Sequence, residues 1–355
     1  MISLRGVHVI GEGVKDVHIQ GPTNADLHFD NAIAFPGLIN SHDHLEFNLF
    51  PRLGNRTYAH CVEWGEDIHK TNRGIIDAIL KIPKPLRTRW GVYKNLFNGV
   101  TTVVNHGERL EIGDPVIDVF QQCTVLHSVR QEPHWQVKLN KPFAGDVPVV
   151  VHAGEGTDAE STRDIDVLIR SNLFKRKLIA VHGVAMTEEQ ANAFSALVWC
   201  PDSNYFLLNR TADISRLQKK TKVVFGTDST LTASWNLWEQ LRLARKLGMM
   251  TDQALFGSVT SVPAQVWGLS EKGADIVVAR AGGHTLDAWF EISPADILLV
   301  IQGGEVRLVD ETVPFPITTL SKVVVQGSTK YVQGNVPGLI AEIRKYAPGL
   351  EFPVS

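Results

Sequence analysis

The chain has 355 residues, of which 44% are apolar and 21% are charged, and its formal net charge is −3. This composition suits a globular protein with a sizeable core. The charge gives no basic footprint for nucleic acid and no charged run for a membrane surface, and no apolar stretch approaches the roughly 20 residues that span a bilayer. We therefore expect neither a nucleic-acid partner nor a membrane partner.

The cysteines and the start of the chain bear on its compartment. Cys61, Cys123 and Cys200 are widely spaced and form no CxxC pair, so they indicate neither a disulfide framework nor a structural zinc knot. The first residues lack the apolar segment of a signal peptide. These features predict a cytoplasmic protein with reduced thiols. Whether it forms a homo-oligomer is left open.

Short β-like segments punctuated by glycine and proline open the chain, and similar segments return near its end. We predict a small β domain built from both chain ends, residues 1–36 with 272–330, and a C-terminal extension over 331–355. The predicted strands of the small domain are 7–10, 14–19, 27–29, 273–278, 297–301 and 305–309. The extension is predicted to hold a helix at 338–346.

Residues 37–271 alternate strand-like and helix-like segments, which is typical of a parallel α/β architecture. Thr187, with Gln190 three residues later, has the spacing of a helix capping box. The predicted strands are 37–40, 101–105, 124–128, 147–151, 178–181, 196–200 and 223–227. The predicted helices are 74–80, 87–97, 188–194 and 237–247.

Four polar groups follow these strands. His42 and His44 come after the first one, and residues two apart on an extended chain point to the same side, so one strand end can present two imidazoles. The other groups follow later strands: His152 with Glu155, His182, and Asp228. Strand ends of a parallel barrel meet at one face. Imidazoles and a carboxylate around one ion, with a position left for water, are typical of catalytic zinc sites.

With these residues the chain resembles the amidohydrolase superfamily, nearest the branch of cytosine and guanine deaminases and chlorohydrolase-like enzymes. One HxH motif alone is a weak signal, whereas an ordered set with HxxE and GTD is specific. The set extends from about residue 35 to residue 278. The matching segments, in order, are PGLINSHDHLEF, VVVHAGEG, AVHGVAM, WCPDSN, FGTDST and KGADIVV.

The resemblance implies a distorted (β/α)8 TIM-like barrel over residues 37–271 that holds one divalent metal, zinc in the first place and iron as the alternative. The implied ligands are three histidines and one aspartate: His42, His44, His152 and Asp228. Glu155 matches the carboxylate that shuttles protons, and His182 matches the histidine that polarises or orients the reacting group. Asp228, beside the water, would also accept a hydrogen bond from it.

The chain departs from the family pattern between residues 105 and 147. This segment contains one convincing strand where the family usually has two, so we expect a reduced or missing β/α unit. A two-metal centre would also need a carboxylated lysine. Lys138 and Lys141 lie in this segment, but neither ends a convincing strand, and one metal is expected.

These residues predict a metal-dependent hydrolase acting on carbon–nitrogen bonds other than peptide bonds. The favoured reaction is hydrolytic deamination of a small nitrogen heterocycle by a metal-bound hydroxide. One alternative cleaves a cyclic amide or removes another leaving group from a heteroaromatic ring. Another is a catalytically inactive barrel that only binds a ligand, although a binder has no need of a proton shuttle such as Glu155.

Five further residues have open roles. His106 and His127 sit at strand ends, where a buried structural role is the first reading and a pocket contact the second. Trp64, Arg130 and Asn204 would line the substrate pocket or serve in packing and turns.

Overall fold

The computed structural model describes residues 1–142, 145–269 and 275–355. Strand-rich ends flank a middle part in which parallel strands alternate with helices. The strands are β1 (Ile2–Val9), β2 (Gly13–Ile19), β3 (Ala25–His28), β4 (Ala32–Pro36), β5 (Leu38–Asp43), β6 (Val100–Asn105), β7 (Asp118–Phe120), β8 (Thr124–Ser128), β9 (Val149–Ala153), β10 (Leu178–His182), β11 (Ala196–Trp199), β12 (Lys222–Phe225), β13 (Ile276–Arg280), β14 (Ile297–Gln302), β15 (Glu305–Asp310), β16 (Leu320–Val325) and β17 (Ser328–Gln333).

The helices begin and end within a few residues of the predicted ones, and several others join them. Among the described residues, none of these helices is long and apolar enough to cross a bilayer. They are α1 (Cys61–Thr71), α2 (Arg73–Leu80), α3 (Lys84–Leu96), α4 (Trp135–Leu139), α5 (Ala159–Ser171), α6 (Glu188–Ala191), α7 (Pro201–Leu208), α8 (Ile214–Leu217), α9 (Leu237–Lys246), α10 (Asp252–Gly257), α11 (Ser261–Trp267), α12 (Leu286–Phe290) and α13 (Val336–Arg344).

One sheet combines strands from both ends of the chain. Its order is β16-β17-β15-β14-β13-β4-β1-β2, with β3 beside β1. The two ends meet where β4 pairs antiparallel with β13, Phe35 opposite Val277. The domain bounds proposed from the sequence stay a prediction. The first residues of the segment KGADIVV, which mark one of these bounds, lie outside the described residues, and β17 continues past residue 330.

Parallel strands form two further sheets, β5-β6-β7 and β8-β9-β10-β11-β12. The side chains of β5, β6, β9, β10 and β11 are buried on both faces, as the near-continuous apolar runs of these strands predict. Val150, Ile179, Val198 and Val224 are all 1% exposed or less. The predicted α/β class with parallel strands is confirmed.

The described part of the segment between β6 and β9 contains only two short strands. It holds the predicted strand β8 and, in addition, the three-residue strand β7, which pairs parallel with β6. Only residues 121–123 separate β7 from β8, whereas a crossover between parallel neighbours takes a dozen or more residues. The two strands belong to different sheets, the first beside β6 and the second beside β9.

Helix α1 was not predicted, although its sequence carries a helical signal. Cys61, Trp64 and Ile68 recur at intervals of three and four residues, which places them on one helix face. The His60 ring caps the helix by accepting a hydrogen bond from the Glu63 amide. The capping box of Thr187 and Gln190 was predicted and is present at α6.

A buried ion pair joins two strands of the terminal sheet. The side chains of Lys330 on β17 and Asp310 on β15 are 0% and 1% exposed. Lys330 Nζ also donates to the carbonyl oxygens of Ala295 and Ile297, both at 2.7 Å. Burial opposes ionisation of Asp310, but hydrogen bonds from Lys330 and Thr312 outweigh it and lower its pKa to about 2.

This ion pair predicts a loss of stability in acid. A carboxyl group whose pKa is lowered by folding stabilises the native state above its ordinary pKa of 3.8, and it loses that contribution as the pH falls toward about 2. Asp310→Asn should lower the free energy of unfolding at pH 7 by about 3–5 kcal/mol and flatten its dependence on pH in this range. Denaturant titrations at several pH values measure both effects. A variant as stable as the parent at pH 7 would contradict the prediction.

Candidate metal centre

The predicted metal-binding atoms converge at the carboxyl ends of the parallel strands. His42 Nε2 lies 3.4 Å from His152 Nε2. Asp228 Oδ1 lies 3.9 Å from His42 Nε2 and 3.8 Å from His44 Nε2. Zinc–nitrogen bonds of about 2.0–2.1 Å in a tetrahedral arrangement put neighbouring ligand atoms about 3.4 Å apart. The ligand atoms of His42, His44 and His152 lie within 4.8 Å of one another, as do those of His42, His182 and Asp228, so the spacing fits an ion bound within this cluster.

Glu155 and His182 belong to the same cluster. Glu155 Oε1 lies 3.5 Å from His182 Nε2, and the two side chains are 8% and 1% exposed. Glu155 Oε2 lies 3.9 Å from His152 Nδ1. All six residues singled out in the sequence are thus brought together, while their individual roles stay predictions.

The backbone turns sharply at two of these residues. His182 and Asp228 adopt left-handed conformations, with φ of 71° and 58°. Such conformations cost on the order of 1–3 kcal/mol and cluster at functional sites, where the surrounding structure holds them. At Asp228 the holding contacts are visible, because the amides of Thr227 and Asp228 both donate to the His42 carbonyl, at 3.1 and 3.0 Å.

Hydrogen bonds orient the Asp228 carboxylate. Ser203 Oγ and Thr232 Oγ1 donate to its Oδ2 at 2.7 and 2.9 Å, and the Ser229 amide donates to Oδ1 at 2.8 Å. The remaining lone pair of Oδ1 is directed to the histidines. Sequence analysis assigned no role to Ser203, although it lies in the matching segment WCPDSN.

Asn204, in the same segment, determines which nitrogen of His182 carries the proton. Its Nδ2 donates to Thr211 Oγ1 at 3.1 Å, so its Oδ1 faces His182 Nδ1 at 2.9 Å and must accept a hydrogen bond. His182 is therefore protonated at Nδ1, and its Nε2 faces Glu155. Asn204 was expected either to line the substrate pocket or to serve in packing and turns. Its contacts favour a structural role, in which it orients the His182 ring.

A buried lysine connects the strand ends beneath the cluster. Lys94 Nζ on α3 donates to Asp43 Oδ2 at 2.9 Å, and these side chains are 2% and 0% exposed. Lys94 Nζ also donates to the Asp228 carbonyl at 3.3 Å. Asn48 Nδ2 satisfies the other oxygen of Asp43 at 2.8 Å. Because Asp43 lies between His42 and His44 and points away from them, this pair holds both ligand-bearing segments in place.

Burial dominates the electrostatics of the cluster. It lowers the pKa of His42, His106 and His152, and neighbouring imidazoles add to the effect, so these rings are neutral, the form that binds metal. Burial raises the pKa of Glu155. Burial also raises the pKa of Asp228, but nearby histidines and hydrogen bonds outweigh it, and the net shift is downward.

His106 lies closer to the cluster than its sequence position indicated. It is 4% exposed, and its ring stacks on that of His152 with centroids 4.3 Å apart. Neither of its ring nitrogens has a hydrogen-bond partner among the described residues. His127 is exposed and lies 5.2 Å from the His152 ring, centroid to centroid. Arg130 forms an ion pair with Asp164 on α5.

A cavity of about 640 Å³ opens over the cluster, a size typical of small-molecule sites. His44, Glu155 and Asp228 line its inner end, and Trp64 lines its wall. The apolar face of α1, with Cys61, Trp64 and Ile68, forms part of that wall, which accounts for the apolar residues on this helix.

No family model matches the chain, and no curated protein matches it in sequence. Solved structures do match it along most of its length. An adenosine deaminase from Xanthomonas campestris with bound zinc is 15% identical, with 98% of each chain covered and a TM-score of 0.72. Atrazine chlorohydrolase from Arthrobacter aurescens, complexed with zinc, is 16% identical over 98% of this chain and 100% of that chain, with a TM-score of 0.70.

A third solved structure, aminofutalosine deaminase from Helicobacter pylori in complex with methylthio-coformycin, is 14% identical over 86% of this chain and 99% of that chain, with a TM-score of 0.64. These three proteins are amidohydrolase superfamily members. At such identities the likeness shows a shared fold, and the fold resemblance expected from the sequence motifs is confirmed.

The ion pair under the cluster generates a prediction. Lys94→Met leaves the buried Asp43 carboxylate without a counter-charge, which should lower the free energy of unfolding by about 3–5 kcal/mol. It also frees the segment before Asp228, and loss of such supporting contacts typically weakens metal binding about 10- to 100-fold.

Denaturant titration and zinc titration of Lys94→Met measure these two effects. The matched control is the double variant Lys94→Met with Asp43→Asn, which removes the unpaired charge and should regain part of the lost stability. If Lys94→Met unfolds at the same denaturant concentration as the parent, the ion pair has no such role.

Proposed function

We propose that this chain, which has an amidohydrolase fold, is a metal-dependent hydrolase that deaminates a nitrogen heterocycle. Two overlapping groups that could hold a metal ion support the proposal: His42 with His44 and His152, and His42 with His182 and Asp228. Glu155 lies beside them and lines the same cavity. A site that only binds a ligand needs no buried carboxylate whose pKa is raised, as that of Glu155 is, because this property serves proton transfer.

The ion would be held by three histidines and one aspartate: His42, His44, His152 and Asp228. Zinc is the first choice, since nitrogen and carboxylate ligands at this spacing suit it and two of the similar structures are described with zinc, and iron is the alternative. When bound, such an ion supplies Lewis acidity that brings the pKa of water to about 7.

Glu155 would move the proton. Its carboxylate lies at the cavity end, between His152 and His182, and burial favours its protonated form. It can take a proton from the attacking water and deliver it to a ring nitrogen or to the departing amine. General acid–base transfer of this kind contributes about 10²- to 10⁴-fold.

His182 would assist Glu155 in proton transfer at the reacting part of the substrate. Because its Nδ1 proton is engaged by Asn204, only Nε2 can exchange a proton with Glu155, 3.5 Å away. A proton held there can be donated to negative charge developing on the substrate. Asp228, with its Oδ2 engaged by Ser203 and Thr232, would use the remaining lone pair of Oδ1 to hold the ion beside the attacking water.

A second candidate reaction removes a different leaving group from a heteroaromatic ring. It is favoured by the likeness to atrazine chlorohydrolase, whose TM-score of 0.70 is close to the 0.72 of the adenosine deaminase. The attack on the ring carbon is the same in both reactions, and the released product distinguishes them. Assays for ammonia and for chloride on matched amino- and chloro-heterocycles decide between them.

We also propose that the two parallel sheets are parts of one distorted TIM-like barrel over residues 37–271. Hydrogen bonds from Thr227 and Asp228 to the His42 carbonyl support this arrangement by joining the segment after β12 to β5. A cytoplasmic location, inferred from the cysteines, stays a prediction.

Metal binding is tested without reference to activity. The purified protein should contain about one equivalent of a divalent metal by elemental analysis, and chelation should lower its melting temperature, because an ion that binds only the native state stabilises it. His44→Ala should lose the metal. His127→Ala, which removes another histidine of the cavity, should retain it. Equal metal contents of the two variants would contradict the assigned ligands.

Proton transfer is tested by Glu155→Gln, which keeps the size of the side chain and removes its acid–base function. The variant should retain the metal and lose about 10²- to 10⁴-fold in kcat. Glu160→Gln, an exposed glutamate on α5, is the control and should behave as the parent does. A Glu155→Gln enzyme with full turnover would show that another group moves the proton.

A further inference from the structure

The cavity over the metal cluster has a wall that the proposed chemistry does not use. Helices α1 and α2 form one side with Trp64, Ile68, Ile76 and Leu80, and Phe47 contributes from the segment after His44. The Phe47 ring stacks against the His44 ring with centroids 5.7 Å apart. Apolar surface therefore begins directly beside a metal-binding side chain and continues outward to the cavity mouth.

This wall presents apolar surface to solvent. Leu80 lines the cavity and is 48% exposed. Trp64 is half-buried, and its only polar atom, Nε1, donates to the Leu53 carbonyl at 2.7 Å, so the indole offers the cavity only its apolar surface. When a ligand displaces water from exposed apolar groups such as these, the burial of apolar surface favours binding.

The charges around the cavity are acidic. Among the described lining residues, the carboxylates are Glu66, Glu155 and Asp228, and no lysine or arginine is present. Arginines of neighbouring segments have carboxylate partners elsewhere, since Arg56 binds Glu63 and Arg130 binds Asp164. The other polar side chains away from the cluster are His69, His127 and Gln131. An anionic substituent would therefore lose its hydration here without gaining a lysine or arginine partner.

We infer that the substrate is a nitrogen heterocycle carrying a bulky, uncharged apolar substituent, which lies against α1 and α2 while the ring faces the metal cluster. Phosphorylated or carboxylated analogues are rejected. This inference rests on the proposed function for the reacting end, but the apolar subsite is defined by side chains of its own. A cavity of about 640 Å³ accommodates a substituent of several carbons beyond the ring.

The test uses 9-alkyladenines, from methyl to hexyl, and 9-(carboxyalkyl)adenines of equal length. Binding to the metal-loaded protein is measured by calorimetry, and hydrolysis is followed by ammonia release. Burial of one methylene corresponds to about a fourfold change in an equilibrium constant. Affinity should therefore rise about fourfold per methylene over the first few members, and each carboxylate analogue should bind more weakly than its neutral counterpart.

Two positions on α2 provide a matched pair of variants. Leu80 faces the cavity, whereas Ile75 is 42% exposed and does not line it. Leu80→Lys should weaken binding of the alkyl series and strengthen binding of the carboxylates, reversing the preference of the parent. Ile75→Lys adds the same charge to the same helix and should change neither series. Leu80→Ala, which introduces no charge, should flatten the dependence on chain length.

The outcomes separate the two proposals. Affinity that is independent of chain length, carboxylates that bind as well as alkyl analogues, or equal effects of Leu80→Lys and Ile75→Lys would overturn the apolar subsite. Binding that follows chain length without ammonia release from any amino-heterocycle tested would leave the subsite standing and overturn deamination.

Discussion

Electron-pair donors from distant parts of the chain face one another across less than 4 Å, and the surrounding parallel strands hold them there. Burial keeps the imidazoles neutral, so a shared proton or a bound cation would stabilise the contacts among His42 Nε2, His152 Nε2 and Asp228 Oδ1. Parallel strands make the arrangement feasible, since their carboxyl ends meet at one face. Left-handed turns at His182 and Asp228 then direct the side chains inward.

The supporting contacts lie behind the ligands. Asp43 and Lys94 form a buried ion pair that also reaches the Asp228 backbone, while Ser203 fixes the carboxylate from another helix. In metalloproteins, groups that form hydrogen bonds to the metal-binding side chains orient those side chains. The cluster is thus organised by groups from α3 and α7, and its geometry depends on packing between elements that are far apart in sequence.

Two backbone hydrogen bonds join the start of α1 to the segment that carries Glu155. The Cys61 amide at the start of α1 donates to the Glu155 carbonyl at 3.1 Å, and the Thr157 amide donates to the Ala59 carbonyl at 2.8 Å. A movement of α1 on ligand binding would therefore be transmitted directly to the segment that carries Glu155.

The sequence by itself determined the α/β class, the pairing of both chain ends in one sheet, and the six residues of the cluster. It could do so because buried parallel strands leave near-continuous apolar runs in the sequence and because His42, His152 and Asp228 each lie at or just past the end of such a run. Only the tertiary structure decided the roles of Ser203, Asn204 and Lys94, the place of His106 against His152, and the cavity wall made by α1 and α2. These depend on contacts between residues up to 134 positions apart, such as Lys94 with Asp228, and local sequence patterns carry no information about which distant side chains will meet.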